Sequence, residues 1–217
     1  MGFGTALVAV PPLILLLGLP TAIPLVALVM LTNIAAVLWN TRDKVDVRAA
    51  WQLLLSSLVG IPIGLVLLRM APDDITKALL GAVLIAYSLY NLTRPELPTI
   101  EHQAWVLPFG FLSGILGGAY NINSPPVVLY AALRGWPPDR FRATLQGYFF
   151  PAAILICGGH AMAGLWSLRV FKLYALALPV VVPALMLGTR LGRAIPADRF
   201  GRAIYAILIV FGAMLFV

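Results

Sequence analysis

The sequence predicts an all-α polytopic membrane protein made of two inverted repeats. Each repeat is predicted to hold a broken or re-entrant helix hairpin followed by three transmembrane helices. Three observations predict this fold: an extreme apolar composition, a series of apolar runs separated by short charged loops, and one run that contains a polar, helix-breaking string. Of 217 residues, 61% are hydrophobic and only 11% are charged, whereas soluble domains are ~45–50% apolar. So few charges cannot cover a soluble surface, so lipid is the expected solvent.

The apolar runs define the predicted membrane segments and leave the charges in the loops. The eight acidic residues all lie in loops or at segment ends, so no carboxylate is expected in mid-membrane. The net charge of +7 does not indicate nucleic acid, because the 15 Lys and Arg residues are spread over short loops. The single cysteine, Cys157, allows no internal disulfide and no zinc cluster, and we expect no metal and no cofactor. The runs cover residues 5–19, 22–40, 47–70, 75–93, 104–133, 141–163, 168–192 and 200–217.

The run 104–133 is too long for one crossing helix. As a single helix it would span ~45 Å, against a hydrocarbon core of ~30 Å. Its middle, residues 117–126, reads GGAYNINSPP, in which two glycines loosen the backbone and two prolines lack N–H donors. Pro125 suits the first position of a new helix, with Asn123 or Ser124 as its cap. We therefore expect two half-helices, at about 104–118 and 125–133, that form a re-entrant hairpin.

The positive charges favour the same hairpin. A single crossing of 104–133 would divide the 15 Lys and Arg residues nine to six between the two sides, whereas a re-entrant hairpin divides them eleven to four. Cytoplasmic loops carry the positive excess, so the eleven-charge side is predicted to be cytoplasmic. The four opposite charges are Arg69, Lys77, Arg169 and Lys172.

The two halves of the chain resemble each other, which predicts a first repeat at residues 1–95 and a second at 102–217. Three crossings per repeat insert the second half upside down, as in secondary transporters that bind substrate at the midplane. The first half-helix of the first repeat is expected to be missing, with an unwound Gly2-Phe3-Gly4 at the amino terminus and a helix from about Pro11. At an offset of 114, Gly4 matches Gly118 and Pro11-Pro12 matches Pro125-Pro126; at 124, Arg69, Pro72 and Asp74 match Arg193, Pro196 and Asp198.

The polar string between the half-helices is the predicted binding site. The helix that starts at Pro125 points its N-terminus at this turn, and the first-half helix should point at it from the opposite side, which predicts an anion site. The alternative is a helix break filled by its own side-chain caps. The predicted substrate-binding residues are Asn121, Asn123, Ser124, Tyr120, Gly118, Gln146, Asn33 and Gly4, and no catalytic residue is predicted.

Other candidates have structural explanations. His160 is expected to be an interfacial histidine rather than a proton relay, and Tyr148 is a weaker binding candidate than the turn. The small-residue pairs are expected to be helix-packing contacts rather than ligands. These pairs are Gly60/Gly64, Gly110/Gly114 and Gly188/Gly192.

The second-half motif resembles the sulfite exporter TauE/SafE family. It comprises residues 117–130, GGAYNINSPPVVLY, followed by Arg134-Gly135-Trp136 and by residues 141–145, FRATL. The first half, from Gly2-Phe3-Gly4 through Pro11-Pro12 to residues 45–48, is similar to the first-half pattern of the same family. The resemblance implies a membrane transporter of sulfur-containing and other organic anions. Members of the family usually have glycine where Ser124 stands.

The predicted function is secondary transport of a small sulfur-containing or carboxylate anion, such as sulfite or an organosulfonate, with binding at the midplane between the repeats. The chain is not expected to be an enzyme. Expected partners are the anion and the lipid bilayer of the cell inner (plasma) membrane, without nucleic acid, and a homodimer is left open. Two alternatives are a non-transporting membrane scaffold and an intramembrane hydrolase that uses Ser113 or Ser124 with His160.

Overall fold

The computed structural model describes residues 5–39, 47–93, 99–191 and 197–216. Within these ranges the chain forms nine α-helices and no strand, which agrees with the predicted all-α class. A short 3-10 helix, Gln103–Trp105, precedes the fifth helix. The helices are α1 (Thr5–Leu17), α2 (Leu19–Trp39), α3 (Val47–Met70), α4 (Asp73–Thr93), α5 (Val106–Tyr120), α6 (Ser124–Leu133), α7 (Pro138–Met162), α8 (Leu168–Leu191) and α9 (Ala197–Met214).

The long apolar run 104–133 is broken into α5 and α6, as the sequence predicts. The short chain segment 121–123 separates the two helices. α6 has only 10 residues, about 15 Å at the α-helical rise, which is half the thickness of a hydrocarbon core. The apolar runs and the helices otherwise agree closely, with the run 47–70 and α3 sharing both ends.

The predicted helix start near Pro11 is wrong. α1 begins at Thr5 and contains Pro11 and Pro12 in its interior. Each internal proline removes one backbone hydrogen bond, but membrane helices accommodate this because neighbouring helices and local adjustments satisfy the freed groups. Internal prolines also occur in α2, α3, α7 and α8, so proline does not mark a helix start in this chain. The predicted unwound segment Gly2-Phe3-Gly4 lies outside the described residues.

α5 and α6 form a hairpin whose outer ends meet. The backbone N–H of Ile100, which precedes α5, donates a hydrogen bond to the carbonyl oxygen of Leu133, the last residue of α6, at 2.9 Å. The Arg134 guanidinium donates in return to the Ile100 carbonyl oxygen at 3.0 Å. The chain therefore leaves the hairpin at the end where it entered, as predicted.

α3 and α5 approach so closely that their backbones touch. A Cβ atom at Gly64 would lie 2.2 Å from the carbonyl oxygen of Ile115, and one at Gly114 would lie 2.4 Å from that of Ser57. Because real Cβ atoms essentially never come within 3.0 Å of another heavy atom, these positions admit only glycine without a shift. This confirms the predicted packing role of Gly60/Gly64 and Gly110/Gly114, all of which meet the opposite helix. The surroundings of Gly188/Gly192 lie outside the described part of the chain.

The remaining helices pack around this pair. α2 contacts α1, α7 and α8, while α3 contacts α7, and α4 pairs with α9. Hydroxyl groups link two of these interfaces: Thr32 and Tyr174 join α2 to α8 at 2.6 Å, and the Tyr205 hydroxyl donates to Asn91 Oδ1 at 3.1 Å between α9 and α4. One large cluster of buried apolar side chains runs through α1 to α7 and α9.

Many large apolar side chains lie on the outside of the protein. Leu16, Met70 and Met162 are among the most exposed, and similar side chains recur along α3, α4, α8 and α9. Among the described helices, Arg48–Met70 and Asp73–Thr93 are long and apolar enough to cross a membrane. An apolar surface of this extent suits contact with lipid rather than water.

The glycine contact gives a stability prediction. Gly64→Ala should lower the free energy of unfolding by about 1–3 kcal/mol, because its new methyl group would overpack the α3–α5 interface. Gly158→Ala is the matched control, because a Cβ atom there meets no heavy atom within 4 Å. Thermal unfolding of the two purified variants measures the difference, and equal midpoints would contradict the proposed role of the glycine face.

Candidate functional site

The first half of the predicted site is the end of α5. Asn121, directly after the helix, has a left-handed backbone with φ of 57°, which Asn adopts more readily than most non-glycine residues. Its N–H donates to the Gly117 carbonyl oxygen at 2.8 Å, and the Ile122 N–H donates to that of Leu116 at 3.2 Å. These two bonds occupy carbonyls that the helix end leaves without partners, so α5 is terminated by its own backbone.

The second half of the site is the start of α6. The cap position is Asn123, as predicted, but the Asn123 side chain forms no capping hydrogen bond. Pro125 and Pro126 occupy the first turn and have no N–H to offer. Asn123 and Ser124 therefore carry the N–H groups nearest the start of α6.

The turn is buried and contains an unpaired polar group. Asn121 is 6% exposed and Ser124 is 3% exposed, and the Asn121 side-chain nitrogen Nδ2 has no hydrogen-bond partner. Tyr120, also buried, donates its hydroxyl to the Thr76 carbonyl oxygen of α4 at 2.8 Å. A buried amide without a partner is unusual in a folded protein, so the Asn121 side chain is a donor that a ligand could use.

Three buried hydroxyl groups lie directly behind the turn. Ser57 of α3 contacts Tyr148 of α7 at 2.8 Å, and Tyr148 contacts Ser113 of α5 at 2.7 Å. The Ser113 hydroxyl donates to the carbonyl oxygen of Asn123. The sequence analysis missed Ser57 as part of the site, although its position three residues before Gly60 puts it on the glycine face of α3.

The other predicted residues are not all brought to the turn. Gly118 packs against α3, where a Cβ atom would lie 2.3 Å from the Ile61 carbonyl oxygen. Asn33 of α2 is 1% exposed, and neither its side-chain oxygen nor its nitrogen has a partner. Gly4 and the side chain of Gln146 lie outside the part of the chain that the structure describes.

His160 lies in the last turn of α7, near the helix end where we expected an interfacial histidine, and its side chain is buried within the protein. Its imidazole is fully buried and faces the backbone of Gly118, and neither ring nitrogen forms a hydrogen bond. The Ser113 hydroxyl is bound to Asn123 and Tyr148 instead of to an imidazole. The serine–histidine contact that a hydrolase would need is therefore not formed between Ser113 and His160.

The chain is similar to proteins that are described as exporters or membrane transporters. The family model described as "Sulfite exporter TauE/SafE" matches residues 1–215. The chain is 25% identical to a "Probable sulfite/organosulfonate exporter TauE" of Cupriavidus necator, over 99% of this chain and 85% of that protein. It is also 28% identical to a "Probable membrane transporter protein ORF9" of Sinorhizobium sp., over 38% of this chain and 36% of that protein. No solved structure matches the chain.

Proposed function

The chain belongs to the sulfite exporter TauE/SafE family, a family of membrane transporters rather than enzymes, and on that premise we propose that it is a secondary transporter of small sulfur-containing or carboxylate anions. Sulfite and organosulfonates are the first substrates to test, because a relative over 99% of the chain is described as their probable exporter. The observation that carries the proposal is the buried break between α5 and α6, where the side-chain nitrogen Nδ2 of Asn121 has no hydrogen-bond partner.

The anion is proposed to bind at the turn, in contact with Asn121, Asn123 and Ser124. The N-terminal end of α6 carries a partial positive charge, and the Asn123 side chain is not used to cap that helix. Tyr120 would support the site through its contact with α4, and Gly118 would support it through its contact with α3. Asn33 is proposed as a secondary contact because its amide is buried and unpaired. Gln146 and Gly4 are proposed as contacts on the sequence pattern alone.

The inverted repeat is part of the proposal, with its halves at residues 1–95 and 102–217. If α1 to α4 are matched in order with α6 to α9, then α2 corresponds to α7, α3 to α8 and α4 to α9. Under this match the α2–α7 and α4–α9 contacts each correspond to themselves, and the α2–α8 contact corresponds to the α3–α7 contact. All of these contacts occur. Gly18 after α1 and Gly135 after α6 both have positive φ, at 76° and 61°, and a proline follows each by two residues. This agreement supports a duplicated hairpin-and-helix unit.

The first-half helix is proposed to point at the same region as α6. The buried residues Ala6, Leu7 and Val10 from the start of α1 belong to the same apolar cluster as Ile122 and Val127 beside the turn. Converging N-terminal ends are how secondary transporters with inverted repeats hold anionic groups. The start of α1 at Thr5, rather than at Pro11, lengthens the arm that would reach this region.

The protein is proposed to be a multi-pass protein of the cell inner membrane, with the outer ends of α5 and α6 on the cytoplasmic side. Arg134 lies at this end of the hairpin, and the positive-inside rule assigns it to the cytoplasm together with the other ten charges on that side. The exposed apolar side chains of α3, α4, α8 and α9 would contact lipid.

The anion site can be tested by removing its side-chain donors. Asn121→Gly, Asn123→Ala and Ser124→Gly should each weaken sulfite binding about ten- to a hundred-fold, because a buried hydrogen bond to a charged group is worth ~1.5–3 kcal/mol. Glycine at 121 preserves the left-handed backbone that the position requires. Titration calorimetry of the purified full chain measures binding, and thermal unfolding serves as the folding control.

Asn33→Ala should weaken sulfite binding less than the turn variants. Wild-type affinity in all three turn variants would mean that the turn is only a helix break, and the anion site would have to lie elsewhere.

The hairpin topology can be tested by cysteine labelling in a Cys157→Ser background. Cysteines at Glu101 and Ala132, both exposed positions at the outer end of the hairpin, should react with an impermeant reagent only from the cytoplasmic side. A cysteine at Ser167, between α7 and α8, should react only from the opposite side. Labelling of Glu101 and Ala132 from different sides would contradict a re-entrant hairpin.

Proton coupling is proposed not to pass through His160. A relay needs groups that can hand the proton on, and neither nitrogen of this imidazole has a hydrogen-bond partner. Transport should therefore be uniport, exchange, or proton-linked through protonation of the substrate itself. His160→Gln should retain the pH dependence of sulfite uptake into proteoliposomes; loss of that dependence with intact sulfite exchange would assign the relay to His160.

A further inference from the structure

Three hydroxyl groups behind the turn form one continuous chain of contacts. Ser57, Ser113 and Tyr148 are each 0% exposed and come from three different helices, α3, α5 and α7. The contacts run from Ser57 to Tyr148 at 2.8 Å, from Tyr148 to Ser113 at 2.7 Å, and from Ser113 to the carbonyl oxygen of Asn123. This hydroxyl chain, formed by Ser57, Tyr148 and Ser113, therefore ends at the backbone of the proposed anion site.

Counting the hydroxyl protons shows which group donates in the hydrogen bonds of the hydroxyl chain nearest the turn. A carbonyl oxygen can only accept, so Ser113 must give its single proton to Asn123. The contact between Tyr148 and Ser113 is then a hydrogen bond only if Tyr148 donates. Ser57 lies at the far end, where its hydroxyl donates to the carbonyl oxygens of Leu53 and Gly110, each at 2.8 Å. The two links nearest the turn therefore run from Tyr148 to Ser113 and from Ser113 to Asn123.

The hydroxyl chain holds one peptide group, the one that joins Asn123 to Ser124, by a hydrogen bond to the Asn123 carbonyl oxygen. In a trans peptide the N–H points opposite to the C=O, so holding the Asn123 carbonyl against Ser113 directs the Ser124 N–H away from the hydroxyl chain. Hydrogen bonds in series polarise one another, and a carbonyl that accepts from Ser113 leaves its peptide N–H more positive. The absence of a side chain at Gly117 leaves room for this arrangement, since a Cβ atom there would lie 3.1 Å from Asn123 Cβ.

We infer that Tyr148, through Ser113, is a positioning residue of the anion site: it holds the Asn123–Ser124 peptide in the orientation and polarity that an anion requires. The inference rests on the proposed function and goes beyond it, because neither Tyr148 nor Ser57 contacts the anion. Ser57 anchors the far end of the chain to α3, whose backbone is held against α5 by the glycine contact.

The test compares variants along the chain in the purified full-length protein in lipid nanodiscs, with sulfite as the probe. Tyr148→Phe should weaken sulfite binding about threefold to tenfold, the effect of one hydrogen bond, and Ser113→Ala by at least as much. The double variant should bind no more weakly than Ser113→Ala, because the two bonds act in series. Ser57→Ala should weaken sulfite binding less than Tyr148→Phe does, because the two links nearest the turn remain.

A matched control separates positioning from general stability. Tyr205→Phe also removes one tyrosine hydroxyl bond, to Asn91 in the α4–α9 contact, and should leave sulfite affinity unchanged. Hydrogen–deuterium exchange of residues 121–127 without anion gives a second readout: Tyr148→Phe and Ser113→Ala should speed exchange there, and Tyr205→Phe should not.

The outcomes distinguish this inference from the proposed function. If the wild type binds sulfite and the turn variants abolish binding, but Tyr148→Phe changes neither affinity nor exchange, the positioning role alone is overturned. Additive losses in the double variant would also overturn it. If the wild type binds no sulfite, the proposed substrate fails, and the exchange of residues 121–127 decides whether the hydroxyl chain holds the turn.

Discussion

The close contact between α3 and α5 is the constraint on which the rest of the protein depends. In lipid, helices gain little from burying apolar side chains against each other, so association depends on close packing and on polar contacts. Glycines on both helices let the two backbones touch, with Gly64 against Ile115 and Gly114 against Ser57. The same approach brings the Ser57 hydroxyl within 2.8 Å of the Gly110 carbonyl oxygen, so the steric contact and the polar contact reinforce each other.

This contact makes an unwound turn possible in an apolar setting. Non-helical backbone at membrane depth is tolerated only where protein or a water-filled cavity surrounds it. The Asn121 and Ile122 N–H groups return to carbonyls of α5, and the Asn123 carbonyl receives the Ser113 hydroxyl. These three backbone groups of the turn are thereby paired, while the Asn121 side-chain nitrogen is not. A buried amide nitrogen without a partner is what the proposed binding turn has and what a helix break filled by its own side-chain caps would lack.

The length and periodicity of the apolar runs made the helices predictable, but the side-chain contacts between distant helices were not predictable. The run 104–133 had to break because it exceeds the bilayer, and GGAYNINSPP contains the glycines and prolines that break it. The glycine pairs of α3 and α5 were also predictable, because their spacing puts them on one helix face. Pro11-Pro12 misled, since a proline pair can begin a helix in one place and lie inside another. Ser57 and the burial of His160 depend on which helices meet, and a single sequence does not encode that pairing in any local pattern.

The two helix ends at the turn explain why the proposed site has polar side chains and no fixed cation. α5 ends there with a partial negative charge and α6 begins there with a partial positive charge, so an anion is favoured only on the α6 side. Pro125 and Pro126 remove two backbone donors from that side, so in the proposed site amide and hydroxyl side chains would supplement the Asn123–Ser124 peptide in binding the anion. A lysine at the turn would attract the anion more strongly but would also retain it, whereas a transporter has to release what it binds. In the proposed site, neutral donors on a rigidly held peptide would favour negative charge while keeping the affinity low enough for release.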